Sequence, residues 1–275
     1  GTPQSATGQA TLYTGTSCAS LLGHHLSGYP NQMLRRVILE RGLFQLWRKR
    51  GGHPLFINAY PDHEALFSPP HLDLGGDGCW CFSPDFPAPF RRRLSVTTTL
   101  MRADGQRPGG RREMAEGRAL YQDFSCRNPH TRELALPRVS PAEAAAILRG
   151  ALARHDLVLF EYFQTDVMAH RGSSAQQEAV LGDLNELLGE LWQTWDTDRH
   201  LLLVISDHGN MESSTKGHSR NPVPLLLLGQ GATELSSCRA LKDVSPSLLR
   251  LRGPGDGPPS QSPLPEKACG SAVPT

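Results

Sequence analysis

The sequence predicts an α/β protein in which a mostly parallel sheet carries helices on both faces. Three observations point there. Short apolar runs, 157-LVLFEYF-163, 201-LLLVI-205 and 223-VPLLLL-228, alternate with helix-patterned stretches. These runs are continuous rather than alternating, as in strands covered on both sides. Between the first two, Val180, Leu181, Leu184, Leu187, Leu188, Leu191, Trp192 and Trp195 recur at helical spacing, which predicts an amphipathic helix.

From the amino end, 33-MLRRVILERGLFQLWRKR-50 predicts a helix stopped by Gly51-Gly52, and 54-PLFINAY-60 a strand. Residues 67–136 are rich in Pro, Gly and Arg, with 94-LSVTTTLM-101 as their one expected strand. They read as a small inserted cap, so the core is discontinuous, 1–66 and 137–250. Ser140, Pro141 and Glu143 supply an N-cap, a proline at the first helical position and a capping-box acid. An Ala-rich helix to about Arg154 follows. Ser174 and Gln177 form a second capping box, opening the amphipathic helix. Residues 251–275 hold few large apolar side chains and many Pro and Gly, and read as a disordered tail.

Composition narrows the function. At 275 residues and 38% hydrophobic, the chain can bury a sizeable core. Its 28 Lys and Arg against 27 Asp and Glu give no overall pull toward nucleic acid or an anionic membrane. The apolar runs fall far short of the ~20 residues of a membrane span. Six irregularly spaced cysteines suggest reduced thiols and a cytoplasmic protein. Cys79-Trp80-Cys81 has no second cysteine pair and reads as a loop.

Chemistry-bearing residues gather where strands end, the edge at which such sheets build sites. Asp207 and His208 follow the 201–205 strand with Gly209 to turn the chain; an ordinary polar turn has the same composition. Asp166 and His170 follow the 157–163 strand at a spacing that places both on one helical face. His218 precedes the 223–228 strand. Carboxylates and imidazoles suit Mn or Zn, and five such groups are too many for one tetrahedral ion.

The ordered set D-x-x-x-H (166–170), S-D-H-G-N-M-E (206–212) and G-H-S-R-N-P-V-P (217–224) resembles the metalloenzyme domain of the alkaline phosphatase superfamily. It is most similar to the branch with cofactor-independent phosphoglycerate mutase and phosphopentomutase. The resemblance implies an alkaline phosphatase-like fold and two divalent metals, Mn or Zn. It implies Asp166, His170 and His218 on one metal and Asp207 and His208 on the other. It also implies a Ser or Thr nucleophile at a helix start, three residues before a Gly. Ser5, three before Gly8, fits, with Thr7 the nearby competitor. A helix start holds phosphate oxygens with its free amides.

The implied activity is phosphoryl transfer from a small phosphorylated substrate, a phosphate monoester, as phosphatase or phosphomutase, through a phosphoserine. The small cap leans toward hydrolysis, because a mutase must close over its intermediate. The alternative is a degenerate, non-catalytic metal-binding member of the same fold. The family's first strand also ends in an Asp ligand upstream of the serine. This sequence starts four residues before Ser5, so the expectation is a truncated chain with an incomplete second metal site. A sulfatase is disfavoured, since Cys18-Ala19-Ser20-Leu21-Leu22 lacks the run that such enzymes modify. His24-His25 and 62-DHE-64 read as polar loops, and Arg91-Arg92-Arg93 as a solvated face with a possible role toward phosphate.

Overall fold

The computed structural model describes residues 1–68, 71–75, 79–213 and 217–252. Of the expected tail, 253–275 lie outside the described residues.

Four helices open the chain: α1 (Ser5–Thr14), α2 (Cys18–Leu22), α3 (Gln32–Arg41) and α4 (Leu43–Lys49). The last two replace the single helix expected over 33–50. Gly42 breaks it, and a Cβ there would stand 2.7 Å from Leu100 Cδ1, so the break admits a helix that packs across. β1 (Pro54–Phe56) follows, then the antiparallel hairpin of β2 (Leu72–Leu74) and β3 (Trp80–Phe82). The Cys-Trp-Cys run is therefore strand rather than loop at its centre, because Trp80 turns inward and is buried.

After α5 (Ala88–Arg92) comes α6 (Val96–Asp104), where the sequence suggests a strand. Ser95 Oγ accepts from Thr98 N at 3.0 Å and starts a helix. Val96, Leu100 and Met101 are wholly buried against α1, α3 and α4. Burying each stabilises by about 1.5–3 kcal/mol, more than the ~1 kcal/mol spanned by strand propensity. Packing therefore overrides the β-branched pattern. Leu72, Trp80 and Phe86 share this core with Ala6, Ala10, Leu34, Ile38 and Phe44, so segment 67–136 contributes to it directly.

α7 (Arg111–Ala115), α8 (Pro129–Glu133) and α9 (Pro141–Ala151) follow. α9 has the expected start, with Ser140 and Glu143 capping each other. β4 (Leu157–Leu159) pairs in parallel with β1, Pro54 opposite Leu157. Beyond it lie α10 (Gln164–Arg171) and α11 (Ser174–Thr194). The α11 cap is Ser173 with Gln176, one residue earlier than the expected Ser174 and Gln177. Gln177 is drawn instead to Met168 O at 3.1 Å, the end of α10. α9 and α11 pack through Ala144, Ala145, Leu187 and Leu191 in a second core.

β5 (Leu201–Ile205) and β6 (Leu225–Gly229) run antiparallel, Ile205 opposite Leu225. This corrects the expectation of a mostly parallel sheet. A parallel return needs a crossover, usually helical, and no helix lies among the described residues between these strands. The fold is thus α/β at the level of mixed helices and a small parallel sheet. α12 (Ala232–Leu235) and α13 (Leu241–Leu251) close it, α13 against α1. Arg252 is anchored to Asp156 at 2.5 Å and lies over the Trp47 ring. No helix among the described residues is long and apolar enough to cross a membrane.

Candidate metal centre

Asp166 stands in the first turn of α10 and His170 one turn on, so both project from one face. Asp166 Oδ1 lies 3.4 Å from His170 Nε2. His218 comes from the β5–β6 connection; its Nε2 lies 3.1 Å from His170 Nε2 and 3.6 Å from Asp166 Oδ1. The three ligand atoms lie within 4.8 Å of one another. Two imidazole nitrogens and a carboxylate oxygen this close need a proton or a cation between them.

His218 is oriented from behind. Its Nδ1 lies 2.9 Å from Pro3 O, and a carbonyl only accepts, so Nδ1 carries the proton. The Nε2 lone pair is left facing the cluster, as in a metal-ligating histidine held by a backbone carbonyl.

His208, buried behind the triad, stacks on His218 with ring centroids 3.7 Å apart. Its Nε2 lies 3.0 Å from Ser5 Oγ, 3.8 Å from Asp166 Oδ1 and 3.7 Å from Asp207 Oδ1. Burial lowers the His208 pKa, which keeps the ring neutral. Burial, aided by the Asp166 charge, pushes the Asp207 carboxyl up to about 7. Asp207 Oδ2 is buried with no hydrogen-bond partner, an orphaned carboxylate oxygen beside the triad.

Two glycines permit the convergence. A Cβ on Gly8 would stand 2.4 Å from Asp207 O, so α1 rests directly on the Asp207 backbone. A Cβ on Gly209 would stand 2.2 Å from Ser219 Oγ. Gly209 and Ser219 form a backbone bridge, Ser219 N donating to Gly209 O at 2.9 Å, which sets His218 against His208.

Ser5 is the first residue of α1 and Thr7 lies two further on. Thr7 is buried and faces away from the cluster. Its Oγ1 donates to Gln4 O at 3.1 Å and accepts from Leu26 N at 3.3 Å, with His25 Nδ1 also at 3.3 Å. Of the two hydroxyls, Ser5 reaches His208.

The other polar groups stand elsewhere. Glu64 accepts from Arg111 N at 3.1 Å, and Asp62 lies 3.9 Å from both His63 and His130. Arg91 donates to Ser83 O at 2.8 Å and stands over the Phe82 ring.

Sequence reasoning missed two contributors within the 206–212 run. Asn210 Nδ2 donates to Asp166 Oδ1, and its own Oδ1 is buried without a partner. Glu212 accepts from Ser219 Oγ, from Asn210 N at 2.8 Å and from Asn221 Nδ2 at 3.1 Å. The Ser219 hydroxyl leads in holding its carboxyl down to about 2. Their signal was present, as polar residues beside a strand-end turn.

Comparison with known proteins bears on the same part of the sequence. Residues 131–253 match the Metalloenzyme superfamily. The match spans Asp166, His170, Asp207, His208 and His218, but not Ser5. The 2,3-bisphosphoglycerate-independent phosphoglycerate mutase of Vibrio campbellii is 29% identical over 129 residues, 44% of this chain and 25% of the mutase. That of Legionella pneumophila is 28% identical over 127 residues, 42% and 25% of the two chains. That of Acetivibrio thermocellus is 30% identical over 107 residues, 36% and 21%. The chain spans about a quarter of the length of the curated relatives it matches. No solved structure matches it.

Proposed function

We propose that the chain is a metal-dependent phosphoryl-transfer enzyme of alkaline phosphatase-like fold. It acts on a small phosphate monoester, as phosphatase or phosphomutase, through a phosphoserine at Ser5. The observation that carries this reading is the 3.0 Å approach of Ser5 Oγ to His208 Nε2, beside the Asp166, His170 and His218 triad.

The donor set fits divalent metal. Oxygen and imidazole donors suit Mn or Zn, His218 is held with Nε2 toward the cluster, and the buried Asp207 Oδ2 has no hydrogen-bond donor. Asp166, His170 and His218 would hold one ion, and Asp207 and His208 the second beside Ser5. Such ions supply charge neutralisation for the phosphoryl oxygens and a lowered hydroxyl pKa.

The chain's own residues do the rest. His208 Nδ1 lies 3.4 Å from Gly209 O, which places its proton there and leaves Nε2 to accept from the Ser5 hydroxyl. That lone pair serves one partner at a time: given to the second ion it would hold the metal beside Ser5, and the hydroxyl proton would then leave to solvent. Ser5 Oγ bonds to phosphorus as the ester P–O bond breaks, and the leaving oxygen takes a proton from solvent to depart as the product alcohol. The phosphoserine then passes its phosphoryl group to water or to a product hydroxyl. The start of α1 sets the Ser5 and Ala6 amides beside the hydroxyl, suited to phosphate oxygens, while Thr7 N donates to Leu26 O at 3.2 Å. The irregular spacing of the six cysteines is in keeping with reduced thiols and a cytoplasmic setting.

The test is a screen of phosphate monoesters with Mn and Zn, quenched in acid and read by mass spectrometry. A phosphopeptide containing Ser5, lost in Ser5→Ala, is the expected result. Metal binding without any phosphopeptide or turnover points instead to a non-catalytic metal-binding protein.

A further inference from the structure

Glu161 lies in the apolar run after β4, outside the ligand set, yet three parts of the fold meet on it. Its backbone is clasped by Asn58, a fully buried side chain. Glu161 N donates to Asn58 Oδ1 at 2.9 Å, and Asn58 Nδ2 donates to Glu161 O at 2.7 Å. The amide of Asn58 thus acts as a strand partner where β1 and β4 stop pairing. The Glu161 carboxylate spans the other way. Its Oε1 accepts from Tyr13 Oη at 2.6 Å and from Thr97 Oγ1 at 2.5 Å.

Two of these connections lead to the candidate metal centre. The chain runs from Glu161 straight into α10, with Asp166 and His170. Tyr13 belongs to α1, which begins with Ser5. Just before α1, Pro3 O holds the His218 imidazole at 2.9 Å. One carboxylate therefore couples the helix that carries two ligands to the helix whose preceding segment orients the third. Thr97, in the first turn of α6, braces it from the core side.

We propose that Glu161 is a positioning residue, a strut that sets α1 against α10 and so fixes the spacing of the metal triad. The inference rests on the metal-site reading above. The strut needs a two-bond acceptor and not a charge. A glutamine retains such an oxygen; an alanine leaves the Tyr13 and Thr97 hydroxyls without a partner.

The experiment is a Mn(II) titration, followed by the electron paramagnetic resonance of free Mn(II), on the full chain. Removing an outer support of a metal ligand typically weakens affinity about 10–100-fold. Glu161→Ala is expected to fall in that range, with Glu161→Gln restoring affinity to within about threefold of wild type. Tyr13→Phe is expected to weaken binding and to add nothing in the Glu161→Ala background. Wild-type affinity in Glu161→Ala overturns the proposal, as does a Glu161→Gln protein as weak as Glu161→Ala. If Glu161→Ala does not fold, Tyr13→Phe and Glu161→Gln decide the question alone. His170→Ala separates the two readings. If it too leaves the titration unchanged, the triad has failed; if it abolishes binding while the Glu161 and Tyr13 variants do nothing, only the strut has.

Discussion

Gly8 lies against the Asp207 carbonyl so closely that a Cβ on Gly8 would stand 2.4 Å from Asp207 O. Ser5 and Gly8 lie on the same helix three residues apart, so one turn of α1 both presents the hydroxyl and rests on the loop that follows β5. The contact explains in steric terms why a glycine stands three residues after the serine.

Gly8→Ala is therefore expected to destabilise the fold and to spoil the site. The added methyl meets backbone rather than a flexible side chain, so α1 must move. Overpacking of this kind costs about 1–3 kcal/mol. Urea unfolding should show the lowered midpoint, and phosphoserine formation should fall with it. An unchanged midpoint would mean that α1 does not sit on Asp207.

His170→Ala and His218→Ala should each lower the affinity for Mn(II) by at least about 10–100-fold, the loss already seen when only an outer support is removed. Asn210→Ala should weaken it less, since it removes a hydrogen bond to Asp166 rather than a ligand. Equal losses in all three variants would count against this assignment of roles.

Ser5→Ala and Thr7→Val should separate chemistry from stability. Ser5→Ala should abolish the phosphoenzyme with little change in unfolding. Thr7→Val should leave phosphorylation in place but cost about 1–3 kcal/mol, because Leu26 N loses its buried acceptor. Phosphate trapped on a Ser5→Ala protein would move the nucleophile to Thr7.

Glu212 gives an acid-side prediction. Its folded pKa, about 2, lies below the ordinary value of 4.5, led by the Ser219 hydroxyl. A depressed carboxyl contributes stability above its unfolded pKa, and loses it as pH falls through the folded one. Glu212→Gln should therefore be less stable than wild type at pH 6, with the difference vanishing between about pH 4.5 and 2. Glu212 is exposed, and solvent screening keeps the effect to about 1 kcal/mol or less. Thermal unfolding across this range checks it; a difference that grows on acidification would reverse the sign.

Some features were legible because they are local. The α9 start needs only Ser140, Pro141 and Glu143 within one turn. The pairing of Asp166 with His170 needs only helical spacing. The Ser173 and Ser174 choice marks the limit of such reasoning. Both serines have a glutamine three residues on, and the selection came from Gln177 reaching Met168 O.

By itself, the sequence determined the α9 cap, the apolar runs at 201–205 and 225–228 and the kinds of side chain that follow them, because each depends on near neighbours in the chain. The tertiary structure decided the rest. It made 96–104 a helix, since buried contacts with α1, α3 and α4 outweigh β-branched propensity. It reversed β6 against β5, since the described connection carries no crossover helix. It also chose Ser5 over Thr7 as the hydroxyl facing His208, because Thr7 is held by Gln4 and Leu26. Each of these outcomes turns on groups distant in the chain, whose encounter only the packed fold brings about.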